Sequence, residues 1–200
     1  MKEEFYTQGR WKNWINKIKE SEFTFQEEED PAAAIFVNAM DDVVLACLKV
    51  VARCDRDIIS KEEALSTIDD IMDIVFEEHE SLGEDADLML ESLKTALTAV
   101  FASCHKYVEG EFNKDATLEE LVKKAIDAEN DGNIDGALSS LSQLGARVLK
   151  GESLPEEAIA DLPYSLVAEL LDGIDAISAA QMGDDSYKEE DGSEDDSGKL

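Results

Sequence analysis

The chain has 200 residues, and 48 acidic against 18 basic side chains give it a formal net charge of −30 at pH 7. Hydrophobic residues make up 44% of it, which excludes a wholly disordered protein, and the length is sufficient for one domain with a buried core. So acidic a surface repels phosphate backbones. We therefore expect no binding to nucleic acid, and we expect any protein partner to be basic.

The cysteines and the apolar stretches indicate where the protein resides. Cys47, Cys54 and Cys104 are odd in number and lack the paired spacing of a disulfide scaffold, which is typical of a reducing cytosol. Residues 1–12 contain no apolar run like that of a secretory signal, and the longest apolar stretch, residues 32–52, is interrupted by charges. We expect a cytoplasmic protein that does not bind membranes. We also expect all three cysteines to be buried and unpaired.

Apolar residues recur at helical spacing along almost the whole chain, and no strand-like alternation competes with them. The pattern predicts an all-α fold, a single bundle of about seven helices over residues 1–182 that includes a linker at 21–30. Residues 183–200, with eight acids and two lysines, are expected to form a disordered acidic tail. The predicted helices cover residues 8–20, 31–54, 60–80 and 85–109, a segment after Thr117, residues 134–150, a short stretch between Pro155 and Pro163, and residues 164–181.

Helix-start signals support two of these helices. Ser60 with Glu63, and Thr117 with Glu120, have the spacing of a capping box, in which two residues satisfy each other's backbone N–H groups. Pro31 stands where the second long helix is expected to begin.

The stretch RWKNWINKIK, residues 10–19, holds four basic residues, both tryptophans and no acid. Its tryptophans and isoleucines fall on one arc of a helix, with basic residues on either side. We interpret it as a helix that packs on its own acidic body and supplies compensating charge. Two alternatives stay open, a helix on a membrane surface and a partner-binding helix. The partner contacts would then be Arg10, Trp11, Trp14 and Lys17.

Asp41 is the candidate buried acid. It shares a helical stripe with apolar residues such as Val44, whereas Asp42 is assigned to a solvated stripe. A buried carboxylate needs a partner, and we expect an ion pair or a hydrogen bond to Trp11, Trp14 or a lysine of the first helix. The alternative is a functional acid with a raised pKa.

Residues 127–138, DAENDGNIDGAL, approach the pattern of a calcium-binding loop. Four carboxylates stand at ligand positions of that pattern: Asp127, Glu129, Asp131 and Asp135. Leu138 occupies the last position, where a bidentate glutamate is needed. We favour an acidic turn between two helices, capped by Asn133 or Asp135, and keep a divalent-cation site as the alternative.

The chain contains no glycine-rich phosphate loop, no G-x-S-x-G and no zinc-ligand spacing. We therefore predict no catalytic residues and no cofactor. The expected function is a non-catalytic protein–protein interaction or a regulatory role, with a basic protein as partner. The alternative is a divalent-cation-binding protein or an enzyme that uses carboxylates near Asp41 or the 127–135 turn. The sequence predicts no oligomeric state.

Several stretches resemble an uncharacterised archaeal family, domain of unknown function 2150. They are EEFYTQGRWKNWINKI at 3–18, DDVVLACLK at 41–49, YVEG at 107–110, DAENDGNIDGAL at 127–138 and GARVLKGE at 145–152. The resemblance extends to about residue 175. It implies an archaeal cytosolic protein, from halophiles or methanogens, with a salt-adapted surface, and it implies no activity.

Overall fold

The structure, a computed structural model, describes residues 4–25, 31–160 and 162–183. These ranges contain seven helices of at least 13 residues, one helix of 4 residues and no strand, which confirms the predicted all-α class. The helices are α1 (Gln8–Ser21), α2 (Ala33–Asp55), α3 (Lys61–Phe76), α4 (Glu84–Glu109), α5 (Leu118–Asn130), α6 (Ile134–Leu149), α7 (Glu156–Ile159) and α8 (Leu166–Gly183). The predicted acidic tail, apart from Gly183, lies outside the described residues, as do residues 26–30 of the predicted linker.

Both predicted capping boxes are confirmed. At the start of α3, the Glu63 amide donates to Ser60 Oγ at 3.1 Å, and the Ser60 amide donates to Glu63 Oε2 at 2.9 Å. Thr117 and Glu120 form the same pair of hydrogen bonds at the start of α5. These side chains satisfy backbone donors that have no partner within the helix.

Helix α3 ends at Phe76, before the predicted residue 80. Glu77 has an extended backbone, with a ψ of 137°, and the following segment runs to α4. Three acids between residues 77 and 80 explain the early end, because negative charge at the C-terminus of a helix opposes its dipole. The Asp87 carboxylate then holds the segment by accepting hydrogen bonds from Ser81 Oγ and the Leu82 amide.

Helix α4 lies at the centre of the fold and contacts α2, α3, α6 and α8. Glycines permit two of these contacts. A Cβ atom added to Gly173 of α8 would lie 2.0 Å from the carbonyl oxygen of Ala96 in α4. A Cβ atom added to Gly145 of α6 would lie 1.9 Å from Ser103 Oγ, also in α4. Both helices therefore approach α4 more closely than any larger residue would allow.

All three cysteines are free, as predicted. Cys47 and Cys104 are fully buried, and the Cys104 thiol beside it, together with burial, raises the pKa of Cys47. Cys54 is only half-buried, so the prediction of burial is wrong for this residue. It lies in the last turn of α2, where that helix leaves the core.

Helix α1 packs on the body of the protein through one side. Trp11 is 2% exposed and Ile18 is fully buried, while Trp14 and Ile15 are half-buried. This is the arrangement expected if the apolar arc of the cationic helix packs inward. None of the helices in the described ranges is long and apolar enough to cross a membrane.

The segment after α1 is more than a linker. Phe23 is buried, and its ring centroid lies 5.1 Å from that of Phe36 in α2, in an edge-to-face arrangement. Within the predicted linker of residues 21–30, Phe23 therefore contributes its side chain to the core.

Candidate functional site

A single carboxylate joins α1 to α2. Asp42 Oδ2 accepts hydrogen bonds from Arg10 Nε and Trp14 Nε1, both at 2.8 Å. The Arg10 guanidinium also contacts Oδ1, so the ion pair is bidentate. The Asp42 side chain is 15% exposed, which strengthens these bonds relative to a pair in open solvent.

Tyr6 completes this contact. Its side chain is buried, and the Arg10 guanidinium carbon lies 5.2 Å from its ring centroid. Among the described residues its hydroxyl oxygen has no partner in good hydrogen-bond geometry. Burial and the nearby Asp42 carboxylate raise the pKa of Tyr6, so the phenol is neutral at neutral pH.

Asp41 is exposed, so the prediction that it is a buried acid is wrong. Adjacent residues of a helix point about 100° apart, and α2 is rotated so that Asp42, assigned to solvent, faces α1 instead. The hydrogen bond expected between Asp41 and Trp14 is made by Asp42. Partial desolvation raises the pKa of Asp41. The alternative interpretation of Asp41 as a functional acid assumed a buried side chain, and this side chain is exposed.

The four residues considered for partner binding have contacts within the chain. Arg10 and Trp14 bind Asp42, and Trp11 is buried. Lys17 is exposed, with Nζ 4.3 Å from the centroid of the Trp14 ring. These contacts favour the interpretation that α1 is part of the protein's own body.

The acidic turn between α5 and α6 is formed as favoured above. Asn133 Oδ1 accepts a hydrogen bond from the Gly136 amide at 2.9 Å and caps α6. Gly132 has a φ of +72°, the left-handed conformation that glycine adopts without strain. The sequence pattern therefore reflects the backbone of a turn between two helices.

Two carboxylates of this turn bind different partners, and the other two are exposed. Asp127 pairs with Lys123 at 2.6 Å, and Glu129 accepts a hydrogen bond from the Val167 amide at the start of α8. Asp131 and Asp135 are exposed. In the part of the chain that the structure describes, no group of three or more histidine, cysteine, aspartate or glutamate side chains could hold a metal ion. The alternative of a divalent-cation site thus lacks a ligand set among these residues.

Sequence reasoning missed a cleft where the ends of α2, α4 and α6 meet the start of α3. The cleft has a volume of about 390 Å³. Its charged lining consists of Lys61, Lys114, Lys150, Asp55 and Asp57. In a chain whose acids outnumber its bases 48 to 18, three lysines against two aspartates reverse the general charge balance. We call this feature the lysine cleft.

The lysines are arranged around apolar and backbone groups. Lys114 Nζ and Lys150 Nζ lie 5.7 and 5.8 Å from the centroid of the Phe112 ring, within the range of cation–π attraction. Lys61 Nζ lies 3.5 Å from the carbonyl oxygen of Glu109 at the end of α4. Lysines suit this location because helix C-termini carry partial negative charge.

Tyr107 and Cys54 add a phenol and a thiol to the lining of the cleft. The Tyr107 hydroxyl donates to Asp55 Oδ2 at 2.9 Å, and burial together with this bond raises the pKa of Tyr107 to about 12. Desolvation raises the pKa of Cys54. Both groups are therefore protonated at neutral pH, so neither is an activated nucleophile.

The comparisons with known proteins agree with the resemblance noted above. A family model described as an uncharacterized protein conserved in archaea (DUF2150) matches residues 4–190. Neither the curated proteins nor the solved structures that were searched contain a match. The match covers most of the chain, and the protein belongs to this archaeal family, DUF2150.

Proposed function

We propose that the protein is a non-catalytic interaction protein of the archaeal cytosol whose acidic surface binds a basic protein. Within the described residues, Asp41 and the carboxylates of the 127–135 turn are either exposed or bound to different partners, and they form no metal-binding group. In the lysine cleft, the Cys54 thiol and the Tyr107 phenol are protonated at neutral pH. The free cysteines and the archaeal family support the cytosolic location.

One observation supports this proposal most directly. Residues 61–80, which include α3, hold eight acids and one lysine, and every one of the eight acids is exposed. We call these acids the α3 acidic surface: Glu62, Glu63, Asp69, Asp70, Asp73, Glu77, Glu78 and Glu80. A surface of one sign attracts a partner of the opposite sign and accelerates its association.

Contacts with other helices hold the α3 acidic surface on the body. Asp69 Oδ1 lies 2.9 Å from His105 Nε2 of α4. Glu77 Oε1 accepts a hydrogen bond from Gln8 Nε2 of α1 at 3.2 Å. Five of the eight acids lie on the packed helix α3, and this part of the surface loses little conformational freedom when a partner binds, which favours recognition.

Affinity capture with two charge-matched variants tests the proposal. The first removes three charges of the α3 acidic surface: Glu62→Gln, Asp73→Asn and Glu78→Gln. The control removes three exposed charges elsewhere: Glu111→Gln, Asp131→Asn and Asp135→Asn. We expect the wild-type chain to recover a stoichiometric basic protein from the source lysate. The first variant should bind that protein about tenfold more weakly, because each exposed ion pair contributes a fraction of a kcal/mol.

The same experiment can contradict the proposal. Recovery of the chain alone at every salt concentration argues against an interaction protein. Equal loss of the partner by the two variants argues against the α3 acidic surface as the binding site, since both have the same net charge.

A further inference from the structure

We propose that the lysine cleft binds a small phosphate-bearing anion, with Lys61, Lys114 and Lys150 as its ligands. This proposal goes beyond the proposed function, because it concerns a small molecule and a different surface from the α3 acidic surface. It depends on three features of the cleft, which are its charge, its size and the nature of its donors.

The first feature is a local concentration of positive charge, with three lysines in the lining of one cleft. Within the described residues, no carboxylate forms a salt bridge with any of the three ammonium groups. Lys114 and Lys150 contact the Phe112 ring, and Lys61 contacts a backbone carbonyl. Lys114 and Lys150 contact the same ring, and a multivalent anion bound between them would offset the repulsion of their like charges.

The nearby aspartates offset this charge only in part. Asp55 accepts a hydrogen bond from the Tyr107 hydroxyl, which directs one of its oxygens to that residue. Asp57 is exposed on the turn after α2 and is outnumbered by the three lysines. The residues that line the cleft thus keep an excess of one positive charge, and Glu152, outside the lining, interacts electrostatically with Lys150.

The second feature is size. Small-molecule sites have volumes of roughly 300–1,000 Å³, and the lysine cleft at about 390 Å³ lies within that range. A second cavity of about 330 Å³ adjoins it, shares Asp55 and Lys150 with it and adds Arg56 to the lining. The two cavities provide space for a phosphate group and for an organic part attached to it.

The third feature is the chemistry of the donors. An ammonium group is a compact charge with three donors and binds phosphate oxygens without requiring a planar partner. Three such groups match an anion of two or more charges better than a monoanion. A nucleic-acid chain would be repelled by the net charge of −30, whereas a small anion can reach a local cationic cleft. The observations therefore favour a small phosphate compound over a polymer.

Calorimetric titration of the full chain with inorganic pyrophosphate tests the site. Ionic strength is held constant with sodium chloride, so that nonspecific screening is the same at every point. The cleft variant carries Lys114→Gln and Lys150→Gln, and the control carries Lys12→Gln and Lys124→Gln at exposed positions outside the cleft. Both variants have the same net charge, and circular dichroism establishes that each is folded.

We expect saturable binding to the wild-type chain. The cleft variant should bind at least about tenfold more weakly, because two charge-assisted hydrogen bonds are lost. The control should differ from wild type by less than about twofold. A parallel titration with a nucleoside diphosphate distinguishes an inorganic phosphate ligand from an organic one. Tighter binding of the nucleoside diphosphate than of pyrophosphate would show that the organic part of the ligand also contacts the cleft. The absence of saturable binding for both ligands, or equal weakening in the two variants, would overturn the proposal.

Discussion

Trp14 donates its indole N–H to the Asp42 carboxylate at 2.8 Å, across the contact between α1 and α2. Arg10 binds the same carboxylate, and Trp11 is buried one turn away. Arg10 thus belongs to an internal contact in which one half-buried acid receives both an ion pair and an indole, and Lys17 lies over the ring of that indole. This explains why an acidic chain places both tryptophans among basic residues.

Replacement of Asp42 should destabilise the protein. In Asp42→Ala, the Arg10 guanidinium and the Trp14 N–H lose their acceptor in a partly buried location. We expect the free energy of unfolding to fall by about 2 kcal/mol, below the cost of breaking a fully buried pair. The lower value is expected because the Arg10 side chain is 49% exposed. Urea unfolding followed by circular dichroism measures the change.

Asp41→Ala is the matched control for this substitution. The residue has the same chemistry and lies on the same helix, but it is exposed. We expect its unfolding free energy to stay within about 0.5 kcal/mol of wild type. An equal or larger loss for Asp41→Ala than for Asp42→Ala would show that the wrong carboxylate has been assigned to the α1–α2 contact.

The close approach of α8 to α4 predicts a large effect of a single methyl group. In Gly173→Ala the new Cβ atom would lie 2.0 Å from a backbone oxygen, so the helices must separate. We expect a loss of about 3 kcal/mol in thermal or urea unfolding. Gly9→Ala in α1 is the control, because its Cβ atom meets nothing closer than 3.8 Å. That variant should be stabilised by up to about 1 kcal/mol through helix propensity, and equal losses in the two variants would contradict the proposed packing.

Two aspartates should give opposite changes of stability with pH. Hydrogen bonds from Ser81 and Leu82 lower the pKa of Asp87 below its ordinary value of 3.8. Its ionised form therefore stabilises the fold above pH 3.8, and this contribution is lost as the pH falls through the folded-state pKa. Asp87→Asn should be less stable than wild type at pH 7, by less than about 1 kcal/mol, and the difference should shrink in acid.

Asp172 supplies the opposite case. Partial desolvation and the neighbouring Asp175 and Glu169 raise the pKa of Asp172 above 3.8, although its side chain is exposed, so its ionised form is disfavoured in the folded state. Asp172→Asn should therefore be more stable than wild type at pH 7, by less than about 0.5 kcal/mol, and this gain should vanish below pH 3.8. Urea unfolding of both variants across this pH range provides the measurement. The same sign of change for both would contradict the assigned environments.

Calcium should have no specific effect on the turn between α5 and α6. Asp127 and Glu129 have other partners, Asp131 and Asp135 are exposed, and Asn133 already caps the following helix. At constant ionic strength, we expect millimolar calcium or magnesium to shift the melting temperature equally in wild type and in Asp131→Asn/Asp135→Asn. A larger shift in wild type would reveal a bound cation, because binding to the folded state raises its stability.

The helices were largely predictable because their signals are local. The capping boxes at Ser60 and Thr117 and the turn at Gly132 each depend on residues close in sequence. The rotation of α2 about its own axis was harder to predict. An error of one residue position in the predicted inward face was enough to select Asp41 in place of Asp42. Apolar periodicity fixes the buried side of a helix only approximately, and the position of α1 decides which carboxylate faces it.

The lysine cleft could not be predicted for a different reason. Lys61, Lys114 and Lys150 stand on different segments and come together only through the packing of four helix ends. No spacing rule relates residues so far apart in sequence. Their one sequence signal is that they are lysines in an acid-rich chain, and that signal does not locate them in space.

The burial of Trp11 is the most direct test that α1 belongs to the body of the protein. In Trp14→Phe, Trp11 is the remaining tryptophan, and its fluorescence can be quenched by acrylamide. Because Trp11 is 2% exposed, we predict a quenching constant several-fold below that of free tryptophan, rising on unfolding in urea. Quenching of the folded protein equal to that of the unfolded chain would contradict the docking of α1.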